Sequence, residues 1–206
     1  MEQMQEFKSH AGSSRVVDEI DRARAQEYAL LAALLSRSPD ARMIGQLTLL
    51  RGDASPLGLA HAGLASAAAG TDEASAQREY FDLFAGLGQD ALLPYASHYL
   101  TDSLYGRPLV RLREALQRLG IESAAGHSEP EDHIAILCET MAGLVGGEIA
   151  APAGADREFF EQHLAPWGRR FFVDLEAAKS ADFYARVGSL GRTFVDIETG
   201  AFALPA

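Results

Sequence analysis

The residues best able to do chemistry in this 206-residue chain lie together, in Glu129-Pro130-Glu131-Asp132-His133. Three carboxyl groups and an imidazole, directly before an apolar stretch, suit two kinds of chemistry. An Asp132–His133 pair could orient the base of a nucleophile. A solvent-facing Glu/Asp/His cluster could instead receive a cationic ligand. The first role needs an activated serine or cysteine, and none is evident nearby, so catalysis is the lesser reading. A third reading is purely local, a well-made helix N-terminus. Pro130 fits the first helical position, where its missing N–H costs nothing. Glu131 and Asp132 then occupy the first turn, where carboxylates favour the positive end of the helix dipole. Ser128 or Glu129 would be the cap, serine being the better type. The local reading and the ligand reading remain open side by side.

Other reactive side chains are scattered. The histidines stand at 10, 61, 98, 127, 133 and 163. His127 and His133 are six apart, the wrong spacing for one helical face, which disfavours a metal site through them. His98 reads as a surface or hydrogen-bonding residue in a loop, and His163, beside Leu164, as a packing histidine with its polar atoms satisfied. The single cysteine, Cys138, excludes an internal disulfide and any multi-thiolate metal site, and reads as a small core residue. No phosphate-cradling loop, Gly-x-Ser-x-Gly elbow or His-Glu-x-x-His pair occurs. Gly86-Leu87-Gly88 is not a dinucleotide fingerprint, because no strand precedes it and a third glycine is missing.

The elements that must position these residues read as helices throughout. Residues 1–14 are polar and form a flexible tail, and residues 15–206 a single helical domain. Val17, Ile20, Tyr28, Leu31, Leu34 and Leu35 fall mostly on one helix side, ended by Pro39. Met43, Ile44, Leu47 and Leu50 mark a short second helix. Residues 52–76 are rich in Gly, Ala, Ser and Pro, and predict only a weak helix over 57–69 within loop. A strong helix from 72 to 85 carries Tyr80, Phe81, Leu83 and Phe84, with Gly86 and Gly88 stopping it. Leu93 to Tyr99 reads as a proline-initiated loop exposing Tyr95 and Tyr99, a pair suited to a peptide-binding groove. Leu109, Leu112, Leu116 and Leu119 form the next helix. Ile134, Leu137, Met141, Leu144 and Val145 stripe the helix after the acidic cluster. Phe160, Leu164, Trp167, Phe171 and Leu175 keep helical spacing across Pro166, which should divide them. Phe183, Val187, Leu190, Phe194, Ile197 and Ala201 form the last helix. No segment alternates as a strand does, so the expected class is all-α, a single-domain helical bundle without a sheet.

The totals agree. A hydrophobic fraction of 48% and a charged fraction of 23% are those of an ordinary soluble domain. A net charge of −11 argues against nucleic acid or an anionic membrane as partner and points toward cationic partners. The polar N-terminus carries no secretory signal, and no window is long and apolar enough to span a membrane, so the expected location is the cytoplasm.

These pieces together resemble one family. Glu129-Pro130-x-Asp132-His133 is similar to the Glu-Pro-x-Asp-His motif of the TorD/DmsD-type redox-enzyme maturation chaperones. Tyr80-x-x-Leu83-Phe84-x-Gly86, followed by Pro94-Tyr95-x-Ser97-x-Tyr99, resembles that family's second block. His163-Leu164-x-Pro166-Trp167, with Phe171 and Phe183-Tyr184, resembles its C-terminal block. The three occur in the family's order and cover roughly residues 15–200. Leu87 stands where the family commonly has proline, and residues 52–76 match no part of its pattern.

The resemblance implies a non-catalytic cytoplasmic chaperone without a cofactor of its own. It would bind the N-terminal signal peptide of a molybdoenzyme catalytic subunit, often a twin-arginine leader, and hold it until the molybdenum cofactor is inserted. By the same carry-over Tyr80, Leu83, Phe84, Pro94, Tyr95 and Tyr99 belong to the peptide site, with Glu129, Pro130, Asp132 and His133 at its hinge or edge. Some members bind guanine nucleotide or form domain-swapped dimers, so monomer and dimer both fit. The alternatives are a chaperone for a non-exported molybdoenzyme subunit and, less, a hydrolase using Asp132 and His133. The acidic balance suits a peptide that pairs arginines with an apolar stretch.

Overall fold

The computed structural model describes residues 17–85, 91–121 and 129–204. The tail 1–14, the helix-stopping Gly86 and Gly88, Leu87, His127 and Ser128 lie outside those residues. The described chain forms α1 (Glu19–Ser36), α2 (Ala41–Leu47), α3 (Pro56–Ala69), α4 (Glu73–Phe84), α5 (Ala96–Thr101), α6 (Arg107–Arg118), α7 (Ile134–Gly146) and α8 (Ala155–Phe159). A π-helical turn (Phe160–Leu164), α9 (Gly168–Ala177) and α10 (Phe183–Phe202) complete it. No strand occurs among the described residues, and the all-α expectation holds.

Short acidic and hydroxyl side chains start the first four helices. Asp18, Asp40, Ser55 and Asp72 each accept from the backbone N–H three residues on, pairing a donor that the helix itself leaves bare. The buried faces then close a core in which α1 lies along α7, and α10 is flanked by α9 and α3. Tyr28, Leu31, Leu34, Leu137, Met141 and Val145 are fully buried there. Ile20, Phe81 and Ile197, placed on buried stripes by periodicity, are instead exposed. Helical spacing fixes a face only approximately, and these three sit at its margin.

Two further expectations are corrected. Residues 56–69 form a full capped helix, not a weak one within loop, because α3 packs on the last helix and buries Leu64 and Ala68. Tyr99 is not in an exposed loop: it lies inside α5 and is buried, while Tyr95 is that helix's first flanking residue. Pro166 does divide its segment. The Ala165 N–H reaches back five residues to Phe160 O at 2.8 Å, and α9 begins only at Gly168.

The α9–α10 crossing depends on two glycines. A Cβ on Gly188 would stand 2.5 Å from Glu176 N and 2.9 Å from Phe172 O, both backbone atoms that cannot step aside. A Cβ on Gly191 would meet the Phe172 ring at 2.2 Å. Gly188→Ala should therefore destabilise by about 1–3 kcal/mol despite its better helix propensity. A urea melt with an unchanged midpoint would show that the helices can separate freely.

Charge is buried where α1, α8 and α10 meet. The Arg24 guanidinium donates through two nitrogens to Glu198, each bond 2.8 Å, and through a third to Asp21 at 2.9 Å. Asp156 of α8 lies 3.6 Å from it, and the Phe202 ring covers its face at 5.0 Å. The Tyr28 hydroxyl donates to the same Glu198 at 2.9 Å. Burial, with the Glu198 charge beside it, pushes the Tyr28 pKa well above its usual value, so Tyr28 stays a donor.

Candidate functional site

The two central motif blocks are laced together along their backbones. His133 and Tyr95 form an isolated antiparallel pair. The Ile134 N–H donates to Pro94 O at 2.8 Å, and the Ala96 N–H to Asp132 O at 3.0 Å. The Asp132 carboxylate adds a side-chain bond, accepting from the Ser97 N–H at 2.8 Å. This pairing holds His133 extended (φ −66°, ψ 136°), so α7 starts at Ile134 and not at Pro130. Pro130 and Glu131 lie in the preceding turn, closed by the His133 N–H on Pro130 O at 3.1 Å. His133, not Ser128 or Glu129, is the cap: its Nδ1 accepts from the Ala135 N–H at 3.1 Å.

Nor is the cluster solvent-facing as a whole. Asp132 has 0% exposure, and its Oδ1 and the neighbouring Ser97 Oγ find no hydrogen-bond partner among the described residues. A cationic ligand reaching the surface cannot touch Asp132 in this conformation. His133 is buried too, and Glu131 is paired with Arg113 at 2.8 Å. Glu129 is exposed, and it accepts the hydrogen bond of the Tyr95 hydroxyl. The Tyr95 ring meets the His133 ring edge-on at 5.2 Å. Since Nδ1 of His133 accepts a backbone N–H, it cannot donate to Asp132, and the relay that a hydrolytic base would need is not formed.

Beside this lacing a groove of about 550 Å³ runs between α1 and α7. Its floor is small: Ala29, Ala32 and Ala33 from α1, Ala135 and Ala142 from α7. Glu129, Glu139 and His133 stand along it with Tyr80, and Met43 and Arg37 close one side. Of the ten residues singled out in the sequence, Tyr80, Glu129 and His133 line the groove, and Tyr95 holds Glu129. Phe84 stacks behind Tyr80 at 4.9 Å, while Leu83 is wholly buried beneath. Pro94 and Asp132 are buried in the lacing, and Pro130 turns the chain into it. Tyr99 faces elsewhere, donating to Asp174 at 2.9 Å and packing on Trp167 at 5.3 Å. Sequence reasoning missed Glu139 and the alanine floor. Their signal is spacing, since 29, 32 and 33, and likewise 135, 139 and 142, repeat at helical steps and put one face of each helix into the groove.

Burial lowers the His133 pKa from its usual 6.5, and the attraction of Glu129 and Asp132 only partly opposes it. The folded value lies below the unfolded one. The stability that neutral His133 contributes is therefore complete above pH 6.5 and is lost as pH falls through the depressed value. His133→Asn keeps a capping oxygen and removes the titration. Unfolding free energies measured from pH 7.5 downward should diverge below pH 6.5, the wild type losing stability that the variant keeps. Parallel profiles would contradict the assignment. Cys138 is buried and its thiol pushed up to about 12, consistent with an inert core residue. Among the described residues no group of three or more His, Cys, Asp or Glu converges to hold a metal, and no helix is long and apolar enough to cross a membrane.

The sequence profile of the family described as nitrate reductase delta subunit matches residues 51–173, more than half of the chain. The chain belongs to that family. The delta-subunit match encloses α3 through the π-helical turn and the first part of α9, including every candidate residue and the stretch 52–76 that carries no motif. Among curated relatives, the chaperone protein TorD of Vibrio cholerae is 29% identical over 126 residues, 57% of either chain. TorD of Aliivibrio fischeri is 32% identical over 130 residues, 58% of this chain and 60% of the relative. A Haemophilus influenzae protein named Probable Tat proofreading chaperone DmsD is 28% identical over 114 residues, 54% of each. The matches thus span less than two thirds of each relative's length. The expected resemblance to TorD/DmsD-type chaperones is met. A crystal structure from Archaeoglobus fulgidus, described as a redox enzyme maturation protein, covers 87% of this delta-subunit-family chain and 95% of its own, at a TM-score of 0.55 and 21% identity. That likeness concerns the fold.

Proposed function

We propose that this protein is a non-catalytic chaperone that binds the N-terminal leader of a molybdenum-cofactor oxidoreductase and holds it until the cofactor is inserted. The observation that carries this reading is the groove between α1 and α7, an alanine floor with carboxylates Glu129 and Glu139 at its side. A leader that joins arginines to an apolar stretch finds both its needs there. Its apolar residues lie on the alanines and Tyr80, and its guanidinium groups pair with the glutamates in charge-assisted hydrogen bonds. The names of the relatives support it, two being TorD chaperones and one a Tat proofreading chaperone.

Within this proposal the ten residues divide their work. Tyr80, Glu129 and His133 contact the leader, and Tyr95 aims Glu129. Leu83, Phe84, Pro94, Pro130 and Asp132 shape the site from below, while Tyr99 ties α5 to α9 through Asp174. The acting unit is the helical domain 15–206 with the tail 1–14 outside it, working in the cytoplasm, as monomer or swapped dimer, with no cofactor of its own.

Titration of the intact protein with a fluorescent Arg-Arg leader peptide tests this directly. Binding on the order of micromolar is expected, together with a loss on Arg→Gln substitution in the peptide. Retained binding of the Arg→Gln peptide would assign the chain to a non-exported client. No binding of either peptide would refute the proposal.

A further inference from the structure

Polar groups left bare in this chain are of two kinds. His163 Nε2 is buried without a hydrogen-bond partner among the described residues, which corrects the expectation that it is satisfied. With under 1 Å² of accessible surface, that nitrogen is out of a ligand's reach. Glu139 is the opposite case. Its carboxylate is exposed in the α1–α7 groove and likewise has no partner among the described residues.

The two glutamates of the groove therefore differ. Glu139, with Ala29 and Ala142, also lines an adjoining cavity of about 430 Å³ that continues along the same seam. It has open space to either side, and Arg22, the cation of that cavity, donates instead to Val17 O at 3.1 Å. Glu129 lies on the turn before α7, and its Oε2 accepts the Tyr95 hydroxyl. Burial, and then the Glu129 charge itself, raise the Tyr95 pKa well above its usual value, so the phenol stays a donor. Glu129 has one oxygen free, and Glu139 has two.

Arginine and lysine read that difference unequally. A planar guanidinium sets two parallel N–H bonds on a carboxylate whose oxygens are both free, whereas an ammonium is a point charge that one oxygen satisfies. On the leader-binding reading given above, we propose that Glu139 selects arginine over lysine in the leader, while Glu129, with one oxygen held by Tyr95, accepts either. Tyr95 is then a positioning residue that sets the selectivity of Glu129. A leader whose basic pair contains one lysine is still bound, provided that its arginine meets Glu139.

The probes are fluorescent leader peptides identical except at the basic pair, which is Arg-Arg, Lys-Arg, Arg-Lys or Lys-Lys, each titrated against the intact protein. One mixed peptide should bind within about threefold of Arg-Arg, and the other at least about tenfold more weakly. In Glu139→Gln all four should weaken, and the two mixed peptides should come within about threefold of each other. Tyr95→Phe keeps the ring against His133 and frees the second Glu129 oxygen, so the lysine tolerated by wild type should now cost about tenfold as well. Equal losses for the two mixed peptides in wild type would overturn the proposal. So would an asymmetry that survives Glu139→Gln, or one that Tyr95→Phe leaves unchanged. In each of these cases binding of Arg-Arg keeps the leader-binding reading in place, whereas no binding of any peptide would overturn both. Should Tyr95→Phe fail to fold, the wild-type series and Glu139→Gln still decide.

Discussion

Arg24→Leu should lower the unfolding free energy by about 3–5 kcal/mol, the range for stripping one partner from a buried ion pair. The reason is what remains. Glu198 is 1% exposed, and Asp21 and Asp156 are also buried, with the guanidinium as the cation they surround. Leucine fills comparable space but leaves the Glu198 carboxylate in a poorly solvated junction, where the Tyr28 hydroxyl alone cannot neutralise it. For a chain of this size the change corresponds to a Tm lower by on the order of 10 °C. Replacing Glu198 by leucine as well removes both ends of the pair, so the double variant should be more stable than the sum of the single losses predicts. Urea melts of the four proteins at neutral pH supply the test. A single variant within 1 kcal/mol of wild type would show that the cluster is solvated more freely than its burial implies.

Charge reversal in the groove is expected to act on binding and hardly on folding. Glu129 and Glu139 are exposed, and the Tyr95 hydroxyl is the described contact that Glu129 would lose. In Glu129→Lys/Glu139→Lys two acceptors for arginine become repellers. With about 1.5–3 kcal/mol for each charge-assisted bond, the Arg-Arg leader should bind roughly 10²–10⁴-fold more weakly, while urea midpoints stay close to wild type. Single reversals should fall between, and raised salt should weaken wild-type binding more than that of the double variant. Undiminished affinity in the double variant would place the leader elsewhere on the protein. Asp132→Ala is the poorer probe of the same idea. Its carboxylate is fully buried and takes the Ser97 N–H, so a binding loss there would report a disturbed scaffold.

The helical class and most helix positions are legible in the sequence, because buried residues recur at three- and four-residue steps through α1, α6, α7, α9 and α10. The order of the motif blocks points to the two stretches that pair beside the α1–α7 groove. What the sequence conceals is non-local. Nothing in Pro94-Tyr95 or Asp132-His133 alone announces that the two will pair, and that pairing moves the start of α7 four residues on and sinks Asp132 out of solvent. The same limit hides Glu139, an ordinary surface glutamate until α1 lies opposite it. Residues 56–69 look weak for a related reason: small side chains give little local signal, yet they let α3 approach α10 closely. Tyr99 misleads through its proline-bearing neighbourhood, whereas its own partners, Asp174 and Trp167, lie some 70 residues away in sequence.

The bond from Arg24 to Glu198 spans 174 positions of the chain. Protein emerges from the ribosome in the order it is written, at about 5–20 residues per second, so the guanidinium waits about 10–35 s for its partner. The apolar face of α1 waits for α7 over a shorter part of that interval, with Leu31, Leu34 and Leu35 bare. Among the described helices, α1 is thus left uncovered until α7 is made, and a pause in translation anywhere between α2 and α7 lengthens the period in which a nascent chain can stick to its neighbours.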